Sequence, residues 1–145
     1  MPPGSEGAGF VADASAALSW CFEDEATPAT EALLERLRAG EPAIVPAHWP
    51  TEVMNGLVMA VRRRRIDPER VTRFARDLAA LPIRIEPPLA PAAWDAVIRV
   101  ATEYQLTVYD AAYLELAERT SLPLASLDGD LRNAALAAGV ALLET

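Results

Sequence analysis

Short apolar runs and amphipathic stretches alternate along the chain. Phe10 to Ala12 predicts a buried strand, followed by a helix from about Ser15 to Phe22. Thr27-Pro28 predicts an N-cap and first helical position, with Ala32, Leu33 and Leu37 at helical spacing and Gly40 as the stop. Ala43 to Val45 is the next strand. Pro50 opens a longer helix carrying Val53, Met54, Leu57, Val58 and Val61 on one face. Asp67-Pro68 caps another, with Val71, Phe74, Leu78 and Leu81 facing inward. Ile83 to Ile85 is a short strand, and Pro91 begins a helix through Trp94, Val97, Ile98 and Ala101. Val108 to Arg119 is helical, Leu124 to Ser126 a strand, Gly129 to Ala138 a helix and Val140 to Leu142 a last strand. Strands alternating with helices predict a parallel sheet sandwiched by helices.

At 145 residues, with 52% of them hydrophobic, the chain is expected to form one globular domain over residues 10–145, behind a flexible tail over 1–9. The longest apolar stretch, Ala134 to Leu143, is too short to span a bilayer. MPPGSEGAG has neither the basic nor the apolar region of a signal peptide, and the single Cys21 cannot form an internal disulfide. These features predict a cytoplasmic protein. Every basic residue outside His48 is Arg, which excludes P-loop, Schiff-base and kinase chemistry that needs Lys. One His and one Cys do not make a zinc site.

Four acids stand at or near predicted helix starts: Asp13, Glu52, Asp110 and Asp128. Taken singly, each is explained by capping or by the helix dipole; Thr107 and Asp110 form T-x-x-D, and either Asp128 or Asp130 could be the true cap. Capping gives no reason for an acid at every junction. An α/β fold gathers the carboxyl ends of its strands along one edge, where such acids would share a crevice. A cluster of carboxylates needs a cation, and oxygen-only ligands suit Mg²⁺ or Mn²⁺. The chemistry expected is metal-dependent phosphodiester hydrolysis.

FVADAS, PAHWPTEVMNGL, TVYDAAYLELA and LASLDGDLRNAA resemble the four successive motifs of PIN-domain ribonucleases, and most closely those of the VapC-type toxins of bacterial toxin–antitoxin pairs. The resemblance runs from about Phe10 to Leu143 and implies a PIN-like three-layer α/β/α sandwich with a central, mostly parallel sheet. It implies an endoribonuclease in which Asp13 and Asp110 are the principal Mg²⁺ or Mn²⁺ ligands. Glu52 and Asp128 would complete the site, hold a second ion or orient the nucleophile, with Asp130 as a fifth acid. Ser15 would lie near Asp13 and Asn55 near Glu52, while Ser126 stands where the family often has Thr. A VapB-like antitoxin and a homodimer are further implications.

A net charge of −8 runs against an RNA partner, but the basic residues cluster. Arg62, Arg63, Arg64 and Arg65 read either as a solvated helix end or as a phosphate-contacting edge. His48 is the alternative general base, in a turn where a lone His is ordinarily solvated. Trp20, Phe22 and Trp49 read as packing residues, or as a partner groove if exposed together. Two other functions compete: a catalytically inactive PIN-like module that binds RNA or protein, and a metal-dependent small-ester phosphatase.

Overall fold

The computed structural model describes residues 9–145; the tail expected over 1–9 falls, apart from Gly9, outside the described residues. Gly9 itself is buried, and its amide donates to Glu41 Oε1 at 3.3 Å.

Four parallel strands form the sheet: β1 (Phe10–Ala12), β2 (Ala43–Val45), β3 (Ile83–Ile85) and β4 (Leu124–Ala125), in the order β3-β2-β1-β4. Seven α-helices accompany them: α1 (Ala14–Ser19), α2 (Pro28–Arg38), α3 (Trp49–Arg62), α4 (Pro68–Ala79), α5 (Trp94–Tyr104), α6 (Val108–Thr120) and α7 (Gly129–Ala138). The expected strand over Val140 to Leu142 is reduced to one parallel bridge, Leu124 to Leu142, beside a β4 of only two residues. Pro91–Ala93 is a 3₁₀ turn rather than the start of a helix, and α1 ends at Ser19, short of the predicted Phe22.

The strand β1 is wholly buried and sorts its side chains by the two-residue period of a strand. Val11 packs with Trp49, Val53, Phe74, Val97 and Leu114. Phe10 and Ala12 face the other layer, with Leu33, Leu37 and Ala125. The sheet therefore has a core on each side, as a parallel sheet requires. Phe22 and Trp49 are buried, and the half-buried Trp20 donates its indole N–H to the Thr30 carbonyl at 2.9 Å. They form no shared groove.

Caps match the sequence closely. Thr27 and Thr30 exchange hydrogen bonds in a capping box at α2, and Asp67 accepts from the Arg70 amide at 2.8 Å to start α4. The inward faces of α3 and α5 differ from expectation. On α3, Val53, Leu57 and Ala60 are buried, whereas Met54 and Val58 face outward. On α5, Val97 and Val100 are buried, and Trp94 and Ile98 are each 52% exposed. The apolar stripes on both helices are wider than the surface the sheet offers them.

Strand order sets the place of the site. The chain steps from β1 outward through β2 to β3, then returns to place β4 on the other side of β1. The carboxyl ends of β1 and β4 thus flank the point where the winding reverses, which is where open α/β sheets form a crevice.

Close packing of α1 on α3 depends on Gly56, where an added Cβ would stand 2.4 Å from Leu18 Cδ1. Gly56→Ala gains about 1 kcal/mol of helix propensity but forces Leu18 off its rotamer at a cost of about 0.5–1.5 kcal/mol. The substitution is expected to be nearly neutral in urea denaturation. In a Leu18→Ala background it should stabilise by about 1 kcal/mol; no gain there would refute this account of the contact.

Candidate active site

Asp13 is the residue after β1 and is 5% exposed. Its Oδ1 accepts from the Ser15 hydroxyl at 2.6 Å and the Ala16 amide at 3.0 Å, and its Oδ2 accepts from the Ser126 hydroxyl at 2.5 Å. Each serine also accepts. Ser15 Oγ receives the Leu127 amide at 2.9 Å, and Ser126 Oγ receives the Asp128 amide at 3.0 Å. The two hydroxyls thereby fasten the turn after β4 to the start of α1. Burial pushes the Asp13 carboxyl above its ordinary value; hydrogen bonds from Ser126, Ser15 and the Ala16 amide act against that, and the Asp128 charge adds to it. A carboxylate offers about four lone-pair positions, so three hydrogen bonds leave Oδ2 with capacity for one more partner.

Asp110 sits in the first turn of α6, but it does not cap the helix. Thr107 does, its Oγ1 accepting from the Asp110 amide at 3.2 Å. The Asp110 carboxylate accepts no hydrogen bond from the described residues and points its charge at other acids. Its pKa is pushed from the ordinary 3.8 to about 6, first by burial and then by the charges of Asp128, Glu52, Asp13 and Asp130. That list gathers all five acids into one electrostatic neighbourhood.

Asp128 is the cap of α7, with Oδ2 accepting from the Leu131 amide at 2.9 Å, while Asp130 is exposed in the first turn. The choice left open by the LDGD turn is therefore made by the backbone. Arg132 holds the turn from behind, donating to the carbonyls of Ser126 at 3.1 Å and Leu143 at 3.3 Å.

Glu52 lies in the first turn of α3, and its Oε1 accepts from the Tyr113 hydroxyl at 2.6 Å. His48 Nε2 is 3.2 Å from the same oxygen and 3.0 Å from the Tyr109 carbonyl. Burial would raise the Glu52 carboxyl, but the bonds from His48 and Tyr113 outweigh it and hold the group below its ordinary value. A carbonyl can only accept, so Nε2 is the ring nitrogen that carries hydrogen. The ring is also edge-on to Tyr113, with centroids 5.0 Å apart. His48 is thus a fixed part of this wall rather than a solvated loop residue. Neither His48 nor Tyr113 was singled out as a partner of Glu52 by motif reasoning, although spacing held a signal. Tyr113 is one turn beyond Asp110, and His48 one turn before Glu52.

The remaining candidates lie farther off. Asn55 is exposed one turn beyond Glu52. Arg62 is ten residues beyond Glu52 on α3, about 15 Å along the axis. Arg63 and Arg64 follow at that far end, and Arg65 binds Asp24 and Glu25 while lying 4.1 Å over the Phe22 ring. The arginine run is therefore separated from the acids rather than beside them.

The five acids offer only oxygen donors, His48 Nε2 being engaged by the Tyr109 carbonyl, and the raised Asp110 marks an excess of negative charge that a hard divalent cation would relieve. Among the described residues the acids stand in electrostatic range without forming a ready-made cage of three metal-binding side chains. The donor chemistry fits Mg²⁺ or Mn²⁺.

Comparison with known proteins identifies the family. The PIN domain family model matches residues 10–136. Ribonuclease VapC12 from two strains of Mycobacterium tuberculosis is 37% identical over 122 residues, covering 84% of this chain and 88% of the relative. The crystal structure of PAE2754 from Pyrobaculum aerophilum superposes with a TM-score of 0.66 and 26% identity, over 91% of this chain and 85% of that one. This chain belongs to the PIN-domain family, within its VapC-type branch.

Proposed function

We propose that the protein is a metal-dependent endoribonuclease of the VapC toxin type, hydrolysing RNA phosphodiester bonds in the crevice at the ends of β1 and β4. The observation that carries this reading is Asp110, a carboxylate left free by its Thr107 cap and crowded by four other acids. Asp13 and Asp110 would be the principal holders of Mg²⁺ or Mn²⁺, with Glu52 and Asp128 completing the set and Asp130 at its edge. A bound divalent cation supplies charge stabilisation at the phosphate and lowers the pKa of water. Asp13, locked by two hydroxyls and an amide, contributes a carboxylate that does not need to reorganise. No side chain here serves as a covalent nucleophile: Ser15 and Ser126 both spend their protons on Asp13.

A VapB-like antitoxin would restrain the activity, and the protein would act as a homodimer in the cytoplasm. Support for a protein contact comes from an apolar groove of about 450 Å³ beside the pocket, bordered by Trp94, Ile98, Val108 and Tyr109. No helix among the described residues is long and apolar enough to cross a membrane. The acids retained at all four positions favour a working site over an inactive binding module. The D-A-S sequence at Asp13, in place of D-x-D, disfavours a small-ester phosphatase of the haloacid-dehalogenase kind.

The test is incubation of purified protein with mixed cellular RNA and Mg²⁺ or Mn²⁺. Cleavage at discrete sites is expected, abolished by EDTA and reduced at least 100-fold, to order of magnitude, in Asp110→Asn. Equal cleavage by Asp110→Asn would defeat the assignment.

Stability gives an independent reading in EDTA. The folded pKa of Asp110 is above its unfolded value, so the folded state holds a proton that the unfolded state has released between pH 3.8 and about 6. Its contribution to stability falls as pH rises through that window, and the full penalty persists above it. Raising the group from 3.8 to about 6 corresponds to about 3 kcal/mol, reduced by partial exposure to about 1–2 kcal/mol. Asp110→Asn should therefore melt higher than wild type above pH 6, with the difference closing toward pH 3.8. A lower Tm for the variant at neutral pH would contradict the crowding.

A further inference from the structure

Two side chains, one from α6 and one from the turn before α3, converge on a single oxygen of Glu52. Tyr113, 1% exposed on α6, donates to Oε1 at 2.6 Å. His48, in the residue before α3, presents Nε2 to the same Oε1 at 3.2 Å. The other oxygen, Oε2, accepts nothing from the described residues. His48 simultaneously binds the Tyr109 carbonyl, and Tyr109 is the residue before Asp110. The imidazole N–H goes to the Tyr109 carbonyl, so the ring edge that stands against Glu52 Oε1 is fixed to the backbone that carries Asp110.

We propose that Tyr113 and His48 are positioning residues, which occupy Glu52 Oε1 so that Oε2 alone is presented to the divalent cation of the site. This rests on the metal-dependent reading above. A buried tyrosine hydroxyl needs an acceptor, and any backbone carbonyl would serve for packing alone. Here the acceptor is an acid of the pocket, and it is shared with a second donor from another element. A glutamate with three free side-chain torsions and both oxygens unbound would have to be ordered when the cation arrives. Restricting it beforehand removes that cost. Groups that orient a metal-binding side chain typically change affinity or activity by 10- to 100-fold.

The experiment compares wild type, Tyr113→Phe, His48→Ala and His48→Gln, using Mn²⁺ itself as the probe. Free Mn²⁺ is counted by EPR, and RNA cleavage is resolved into kcat and KM. Tyr113→Phe keeps the ring in the core and removes one hydroxyl. It is expected to weaken Mn²⁺ binding roughly 10- to 100-fold and to lower kcat with KM for RNA unchanged. His48→Ala should lose affinity in the same direction, and His48→Gln should recover part of it, because the glutamine amide can donate where Nε2 does. In a Glu52→Gln background, Tyr113→Phe should cause no further loss, because its effect passes through Glu52.

Wild-type affinity and kcat in a folded Tyr113→Phe would overturn the proposal, as would additive losses in the double variant. If Tyr113→Phe does not fold, the His48 pair decides: equal Mn²⁺ affinity in His48→Ala, His48→Gln and wild type overturns it. Wild-type protein that binds Mn²⁺ but cleaves no RNA removes the nuclease reading, while the affinity ratios still decide the positioning. Wild-type protein that binds no Mn²⁺ overturns both.

Discussion

A carboxylate buried at the end of the central strand organises everything around it. Asp13 is almost without water, and burying an ionised acid is costly unless its lone pairs are met. They are met by two hydroxyls and one amide from two places in the fold: Ser15 and the Ala16 N–H in the first turn of α1, and Ser126 just after β4. Because Ser126 reaches across 113 residues of sequence, meeting the needs of one acid also joins the first strand to the last. Ser15 and Ser126 then pass the constraint on by accepting the amides of Leu127 and Asp128. The position of Asp128 is thus a consequence of how Asp13 is solvated.

The same economy governs the other acids. Several helices present their N-terminal turns at this edge, and each such turn carries about half a positive charge. One acid at each of α1, α3, α6 and α7 is partly offset by that field. The offset is incomplete, since about half a charge does not balance one, and Asp110 shows where the deficit falls. His48 and Tyr113 hold Glu52 below its ordinary value, and the Ser15 and Ser126 hydroxyls offset part of the burial that raises Asp13. Asp110 alone has neither, because Thr107 took over its capping duty. Burial raises the proton affinity of Asp13 against its hydrogen bonds, whereas at Asp110 burial and the neighbouring charges act with no hydrogen bond to oppose them.

Much of this was legible in the sequence because it is local. Strand and helix order, the caps at Thr27 and Asp67, and an acid at each strand–helix junction follow from spacing within a few residues. The family motifs named the same four acids. What was missed is long-range. The bonds joining Tyr113 to Glu52 and His48 to Tyr109 each span 61 residues, and no local pattern announces them. Sequence pattern also cannot say how much of an apolar stripe is covered. Met54, Val58, Trp94 and Ile98 satisfy helical periodicity, yet they lie beyond the width of a sheet of two- and three-residue strands. The last predicted strand fails for a related reason. With β4 only two residues long, Val140 to Leu142 has little edge to pair with.

Charge distribution explains how a chain of net charge −8 could still work on a polyanion. Long-range attraction to phosphate would ordinarily call for a basic surface. The arginine run is at the far end of α3, and Arg65 is already engaged by Asp24, Glu25 and the Phe22 ring, so it supplies no such surface beside the acids. An acidic pocket repels RNA until its charge is neutralised, so in the proposed nuclease occupancy by a cation would be a precondition for substrate approach as well as for chemistry. It also makes a basic side chain from a protein partner an effective competitor, since one cationic group could relieve the crowding around Asp110 without offering anything to activate water. The feature that would make the site reactive with a cation is therefore the same one that would make it easy to silence.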